Sequence, residues 1–194
     1  VKLDIKNLSI ERGERDLCCD LSFSVQSGDL IRIAGENGAG KSSLMKAILG
    51  WVSIEGGELI YNGEDISQHR DMLLQDQLYL GHTPGIKHVF TALENLKLYC
   101  PDKSEQQLEQ ALEQVQLLAF ADTPAAQLSA GQKRRIALAR LWLTDKSLWF
   151  LDEPFTALDV KGVSALEERM ASHLSEGGAV VITTHQPLLH LFPK

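Results

Sequence analysis

The segment Gly35-Glu36-Asn37-Gly38-Ala39-Gly40-Lys41-Ser42 has the spacing G-x-x-x-x-G-K-[ST]. Its glycines let the backbone wrap an anion without Cβ clashes, so that N–H groups converge on it. A helix beginning directly behind the loop adds the positive end of its dipole. Lys41 is then placed to reach the β- and γ-phosphates of a nucleotide, and Ser42 to ligate Mg²⁺. Ser43 follows as a further candidate contact in the same turn. A glycine-rich turn with an exposed lysine is the bland alternative. It is weakened because an apolar strand precedes the loop and a helical pattern follows it, as phosphate binding requires.

A second group of chemically useful residues closes another apolar run, Leu148-Trp149-Phe150-Leu151-Asp152-Glu153. A carboxylate buried behind four apolar residues is costly unless a cation lies near it. Asp152 therefore suits a Mg²⁺-holding role. Glu153, next in the chain, points elsewhere and is suited to polarising an attacking water. On its own such a pair is more often a loop start or a helix cap; the phosphate loop in the same chain favours the chemical role.

These groups need a scaffold, and the hydrophobic periodicity supplies one. Val1, Leu3 and Ile5 alternate with polar residues, as do Leu21, Phe23 and Val25, which predicts half-buried strands. Leu30 to Ala34 reads as a short strand leading into the loop. Lys41 to Leu49 reads as a helix stopped by Gly50. Leu59-Ile60-Tyr61 before Asn62-Gly63 is a hairpin signal. From about residue 86 to 140 the pattern turns helical. Thr91-x-x-Glu94 and Ser104-x-x-Gln107 are capping-box spacings, and Leu108, Ala111, Leu112, Val115 and Leu118 fall on one helical face. Strand–helix alternation then returns: Leu148 to Leu151 is a buried strand, Val163, Leu166, Met170 and Leu174 mark an amphipathic helix stopped by Gly177-Gly178, and Ala179 to Thr184 is another buried strand. Short apolar strands alternating with helices predict an α/β fold with a parallel sheet covered on both faces.

Composition narrows the function classes. The 194 residues carry 19 Lys and Arg against 26 Asp and Glu, a net charge of −7. That balance argues against a nucleic-acid surface as the main partner, while leaving room for a local phosphate site. Three cysteines, two of them adjacent, suit neither a disulfide framework nor a zinc site. No apolar run approaches the ~20 residues of a membrane span, and no signal-peptide pattern opens the sequence. The expectation is a water-soluble chain.

Further motifs complete a recognisable set. Leu128-Ser129-Ala130-Gly131-Gln132 lies between the phosphate loop and the Asp152-Glu153 pair. Phe155-Thr156-Ala157-Leu158-Asp159 and Thr183-Thr184-His185-Gln186 follow. In type and order these stretches resemble the ATP-binding-cassette (ABC) ATPases: Leu128 to Gln132 is similar to the LSGGQ signature, the segment ending at Asp159 to the D-loop, and His185 to the switch histidine. The resemblance covers essentially the whole chain. It implies a P-loop NTPase with a mostly parallel core sheet, an N-terminal antiparallel β subdomain and a helical subdomain. The core would be residues 1–85 and 141–194, and the helical signature subdomain 86–140. It also implies two cassettes paired head to tail, with ATP and Mg²⁺ between the loop of one (Gly35 to Ser43) and the signature of the other. Glu153 would activate water, His185 would sense the γ-phosphate, and Ser42 and Asp152 would hold the metal.

Two departures from the family pattern stand out. His82, within Leu80-Gly81-His82-Thr83-Pro84-Gly85, occupies the Q-loop position where the family has glutamine. A neutral imidazole can ligate a metal or hold a water. Arg12 falls where the family stacks an aromatic ring on adenine, and a guanidinium plane can also stack on a base.

More particular stretches, Gly81 to Lys87, Thr91 to Leu96, Ala139 to Thr144 and Thr184 to Leu188, resemble the ATP-binding subunits of bacterial cytochrome c maturation systems. That resemblance implies integral membrane partner subunits, a peripheral place on the cytoplasmic face of the inner membrane, and a role in haem export or release of haem from a chaperone. Nothing resembles a haem-attachment motif, so no direct haem site is expected. The ATPase of another ABC transporter, or a soluble non-transport ABC ATPase, is the alternative.

Overall fold

The structure, a computed structural model, describes residues 1–12 and 15–186, with side chains for all of these except 12, 15 and 16. The chain forms two compact units. One comprises Val1–Tyr79, Lys146–Asp152 and His173–His185; the other comprises Leu80–Asp145 and Glu153–Ser172, with Gln186.

The first unit is built on two four-stranded sheets. Strands β1 (Lys2–Arg12), β2 (Arg15–Gln26), β3 (Leu30–Ile33), β4 (Gly56–Tyr61) and β5 (Glu64–Asp65) open the chain, with α1 (Lys41–Ile48) between β3 and β4. Then follow α2 (Asp71–Asp76) and β6 (Gln77–Leu80), and much later β7 (Leu148–Asp152) and β8 (Ala179–Thr183). The antiparallel sheet has the order β2-β1-β4-β5, and the other sheet β3-β8-β7-β6. Asn62 and Gly63 make the β4–β5 turn at positive φ (49° and 91°), as the hairpin signal predicts. Every residue of β7 and β8 is buried, and β8 pairs in parallel with both β3 and β7. This is the outcome expected of short strands that are apolar up to their last residue. The core of this unit packs Leu3, Ile5, Leu59 and Tyr61 with Met45, Ile48, Phe150 and Val181.

Asp76 staples this unit. Its Oδ2 accepts the Tyr61 hydroxyl from β4, and its Oδ1 accepts the Ser147 hydroxyl (2.7 Å) and backbone N–H (3.3 Å) at the foot of β7. Burial by itself would raise the Asp76 carboxyl, but the hydrogen bonds from Tyr61 and Ser147 outweigh it and hold the group below the ordinary carboxylate range. Burial, together with the hydrogen bond to Asp76, pushes the Tyr61 phenol up. A depressed carboxylate contributes stability that is full above its unfolded value and is lost as pH falls through the lower folded value. Asp76→Asn should therefore cost about 1 kcal/mol near neutrality, the modest figure suiting a half-buried group. The gap from the parent, read by urea unfolding, should shrink once the pH drops below about 4. A gap that stays constant well below that pH would mean that the charge contributes nothing.

The second unit is helical. It holds α3 (Ala92–Tyr99), α4 (Glu105–Gln114), α5 (Ala130–Ala139) with a 3₁₀ turn at Arg140–Trp142, and most of α6 (Val160–Ser175). Thr91 and Ser104 both form the capping boxes their spacing predicts. Buried Asn95 fixes the segment before α3: its amide donates to the carbonyls of Lys87 (3.0 Å), Phe90 (3.3 Å) and Thr91 (2.8 Å), and its oxygen accepts from Lys87 N–H (2.8 Å). One expectation fails here. The stripe Leu108 to Leu118 is not continuous, because α4 ends at Gln114 and Gln116 turns left-handed (φ 59°). Leu118 then sits in a 3₁₀ turn, 42% exposed. Among the described residues no helix is long and apolar enough to cross a membrane.

Candidate nucleotide site and signature segment

In the first unit the candidate site lies at the carboxyl ends of the parallel strands, the usual ligand position in such sheets. Register places Ile33, Thr183 and Asp152 side by side on β3, β8 and β7. The loop leaves β3 immediately beyond Ile33 and enters α1 through Gly40 at φ 88°, a left-handed turn. A Cβ on Gly40 would also lie 3.2 Å from the Leu17 side chain, a tight contact; the left-handed backbone is what favours glycine there. The Lys41 ammonium lies across the loop and donates to the carbonyls of Gly35 (2.7 Å) and Glu36 (2.9 Å). Ser42 and Ser43 occupy the first turn of α1.

The residues gathered around the loop orient one another. Thr183 Oγ1 donates to Asp152 Oδ1 at 2.7 Å, both side chains being buried. This bond fixes the plane of the carboxylate without exhausting its capacity to accept or ligate. His185 Nε2 lies 2.8 Å from Asn37 Oδ1. An amide oxygen only accepts, so Nε2 carries the proton. Arg32 reaches across from β3 and gives Nε (3.2 Å) and Nη2 (2.9 Å) to the Thr184 carbonyl, fixing the peptide just before His185. The sequence brings Lys41, Asn37, Asp152 and His185 to notice, but not Thr183 as a partner of Asp152, nor Arg32. Thr183 becomes the partner of Asp152 only through the pairing of β7 with β8, in which each is the fifth residue of its strand. A lone arginine in Leu30-Ile31-Arg32-Ile33 was the signal for Arg32. The Arg12 side chain lies outside the described residues.

The second unit carries the signature. Helix α5 starts at Ala130, because Ser129 is its N-cap. Ser129 Oγ accepts from Gln132 N–H (3.2 Å), and the Gln132 side chain accepts from Ser129 N–H (2.9 Å). The signature is thus a capping box. Leu128 anchors it in the core, while Ser129 and Ala130 are exposed. The first N–H groups of a helix lack intrahelical partners, so this end presents donors and a positive dipole to solvent.

The D-loop is built against the same helix. A Cβ on Gly131 would stand 2.8 Å from the Ala157 carbonyl oxygen, so only glycine permits this approach. Ala157 itself is left-handed (φ 63°), as is Glu153 (φ 49°). Asp159 Oδ1 accepts from Gly162 N–H (2.9 Å) and from Arg135 Nη2 (2.8 Å). The Gly162 hydrogen bond first, and Arg135 second, hold its carboxyl below the usual range. His82 is exposed, in the loop that follows β6. Asp159, Glu153, His82 and the signature therefore belong to the helical unit, whereas Asp152, His185 and the phosphate loop belong to the first.

Comparison with known proteins agrees with this geometry. The chain is 50% identical over 186 residues to the "Cytochrome c biogenesis ATP-binding export protein CcmA" of Escherichia coli (strain K12), covering 96% of this chain and 90% of that protein. The protein of the same name from Shigella dysenteriae serotype 1 (strain Sd197) matches with the same identity and coverage. A solved structure described as an ATP binding subunit of an ABC transporter superposes with a TM-score of 0.83 at 27% identity, over 95% of this chain and 80% of that one. The profile of the ABC transporter family matches residues 18–156. With well over half its length matched, and with a phosphate loop, a strand-end carboxylate and a capped signature helix in place, this chain belongs to the ABC transporter family.

Proposed function

We propose that this chain is the ATP-hydrolysing subunit of a membrane complex of c-type cytochrome biogenesis, serving haem export or the release of haem from its chaperone. The observation that carries the ATPase reading is the row Ile33–Thr183–Asp152, which sets the phosphate loop and an oriented carboxylate at one sheet edge. The biogenesis role is supported by the name of its 50%-identical relatives. ATP phosphates would take over the Lys41 ammonium from the Gly35 and Glu36 carbonyls, with Gly38, Ala39 and Gly40 lending backbone N–H groups. Ser42 and Asp152 offer a hydroxyl and a buried carboxylate, hard oxygen donors that suit Mg²⁺. When bound, Mg²⁺ neutralises phosphate charge. Arg12 would stack on the base. Glu153 would orient the attacking water. His185, its Nε2 protonated, would exchange the Asn37 amide for a γ-phosphate oxygen.

Catalysis on this reading needs two copies of the chain. Ser129 and the Gly131 N–H would reach the γ-phosphate held by the partner copy, with Asp159 shaping the D-loop between them. Residues 86–140 would be the subdomain that presents the signature, and His82 would stand at the Q-loop position toward integral membrane subunits. The chain would sit peripherally on the cytoplasmic face of the inner membrane. Ser129→Ala should leave ATP binding by a single copy intact and lower turnover by ~10². Loss of binding in a folded monomer would place the residue in cis instead. The whole reading is tested by purifying the tagged chain from native membranes. Integral membrane subunits should co-purify, and deletion of the gene should abolish assembled c-type cytochromes. A ribosome- or DNA-associated protein whose deletion spares those cytochromes would overturn it.

A further inference from the structure

Arg134 is 4% exposed, one turn behind the signature cap on α5. Its guanidinium is spread over two other chain segments. Nη1 donates to the Gly81 carbonyl and, at 3.3 Å, to the His82 carbonyl. Nη2 donates to the Glu153 carbonyl at 2.9 Å. All these residues lie within the helical unit. We propose that Arg134 is a positioning residue that holds the Glu153 backbone in place and ties it to the loop carrying His82. This proposal rests on the assignment of Glu153 as the water-orienting carboxylate.

Three physical points carry it. Burying a guanidinium carries a large desolvation cost before its hydrogen bonds are counted, and an apolar side chain would fill the same space without it. A residue that serves only to pack has no reason to be arginine. Second, Glu153 is held at φ 49°. A non-glycine residue in that region is strained and persists only where its surroundings fix it. The peptide plane on its carbonyl side sets where the next residue leaves and which way the carboxylate can point, and Arg134 holds that plane. Third, the planar fork of arginine presents donors in two directions at fixed separation, whereas a lysine ammonium is a single point. Only arginine can hold the Glu153 carbonyl and the 81–82 carbonyls together. A shift of the His82 loop then moves one end of a rigid fork whose other end is the backbone of Glu153.

The experiment uses the full chain in the complex purified from membranes. Arg134→Lys and Arg134→Gln are compared with the parent and with Glu153→Gln for thermal midpoint, ATP affinity and single-turnover hydrolysis. Each Arg134 variant should bind ATP within about two-fold of the parent and lose ~10- to 100-fold in turnover, the signature of an interaction used in the reaction rather than in binding. Added to Glu153→Gln, Arg134→Lys should give no further loss, since both act through one carboxylate. If Glu153→Gln alone hydrolyses at the parental rate, the assignment of Glu153 fails whatever Arg134 does. If Glu153→Gln is inactive while a folded Arg134 variant turns over normally, the positioning role fails. Loss of folding or of ATP binding in both Arg134 variants, or losses that add to those of Glu153→Gln, would make Arg134 a structural residue and also overturn the proposal.

Discussion

Glu153→Gln is expected to bind MgATP like the parent, to lose turnover by ~10² to 10³, and to accumulate as an ATP-held dimer. The amide matches the carboxylate in shape but cannot take a proton from water or draw its lone pair forward. The left-handed backbone at residue 153 is unchanged by the swap, because both side chains place the same demand on it. Asp152 and its Thr183 hydrogen bond are untouched, so metal binding should survive. Phosphate release measures the first effect, and size-exclusion chromatography in the presence of ATP the second. Turnover near the parental level would remove Glu153 from the water-activating role and leave that task to another acceptor, with His185 the next to be tested.

Lys41→Ala is expected to weaken ATP binding by ~10- to 100-fold, the range of one lost charge-assisted hydrogen bond of about 1.5–3 kcal/mol. In the structure the ammonium is held only 2.7 and 2.9 Å from two carbonyls of the loop itself. It therefore already lies over the concave face, where anionic oxygens would replace those carbonyls. The substitution also leaves the loop without its internal cross-link, so its N–H groups converge less reliably. AMP, which lacks the β- and γ-phosphates, should bind both forms equally weakly. Titration calorimetry with ATP and AMP separates the two effects, and an equal loss for both nucleotides would show that Lys41 shapes the loop rather than touching the distal phosphates.

Features written in contiguous residues were legible from the sequence. The loop from Gly35 to Ser42 announces itself because phosphate binding needs glycines, a lysine and a hydroxyl at fixed spacing. The capping boxes at Thr91 and Ser104 were readable because the partners are three residues apart. The same box at Ser129 was present in Ser129-x-x-Gln132 but was read there only as part of the signature. The break at Gln116 was hidden because a single left-handed residue leaves hydrophobic spacing unchanged, and Leu118 continued the pattern on paper alone. Thr183 and Arg134 were illegible for a deeper reason. Thr183 meets Asp152 only once strand order is known, and Arg134 bonds to carbonyls, which every residue possesses and no sequence marks.

The strand order also sets a schedule for synthesis. β8, late in the chain, lies between β3 and β7, with Leu30 paired to Val180. A nascent chain that has exposed the phosphate loop must still wait for about 150 more residues, roughly 8 to 30 seconds at ribosomal speeds of ~5–20 residues per second. Throughout that interval β3 lacks its neighbour, and Asp152, once made, still lacks Thr183. The parallel sheet that carries the phosphate loop is therefore complete only after β8 has been made, whatever has folded before it.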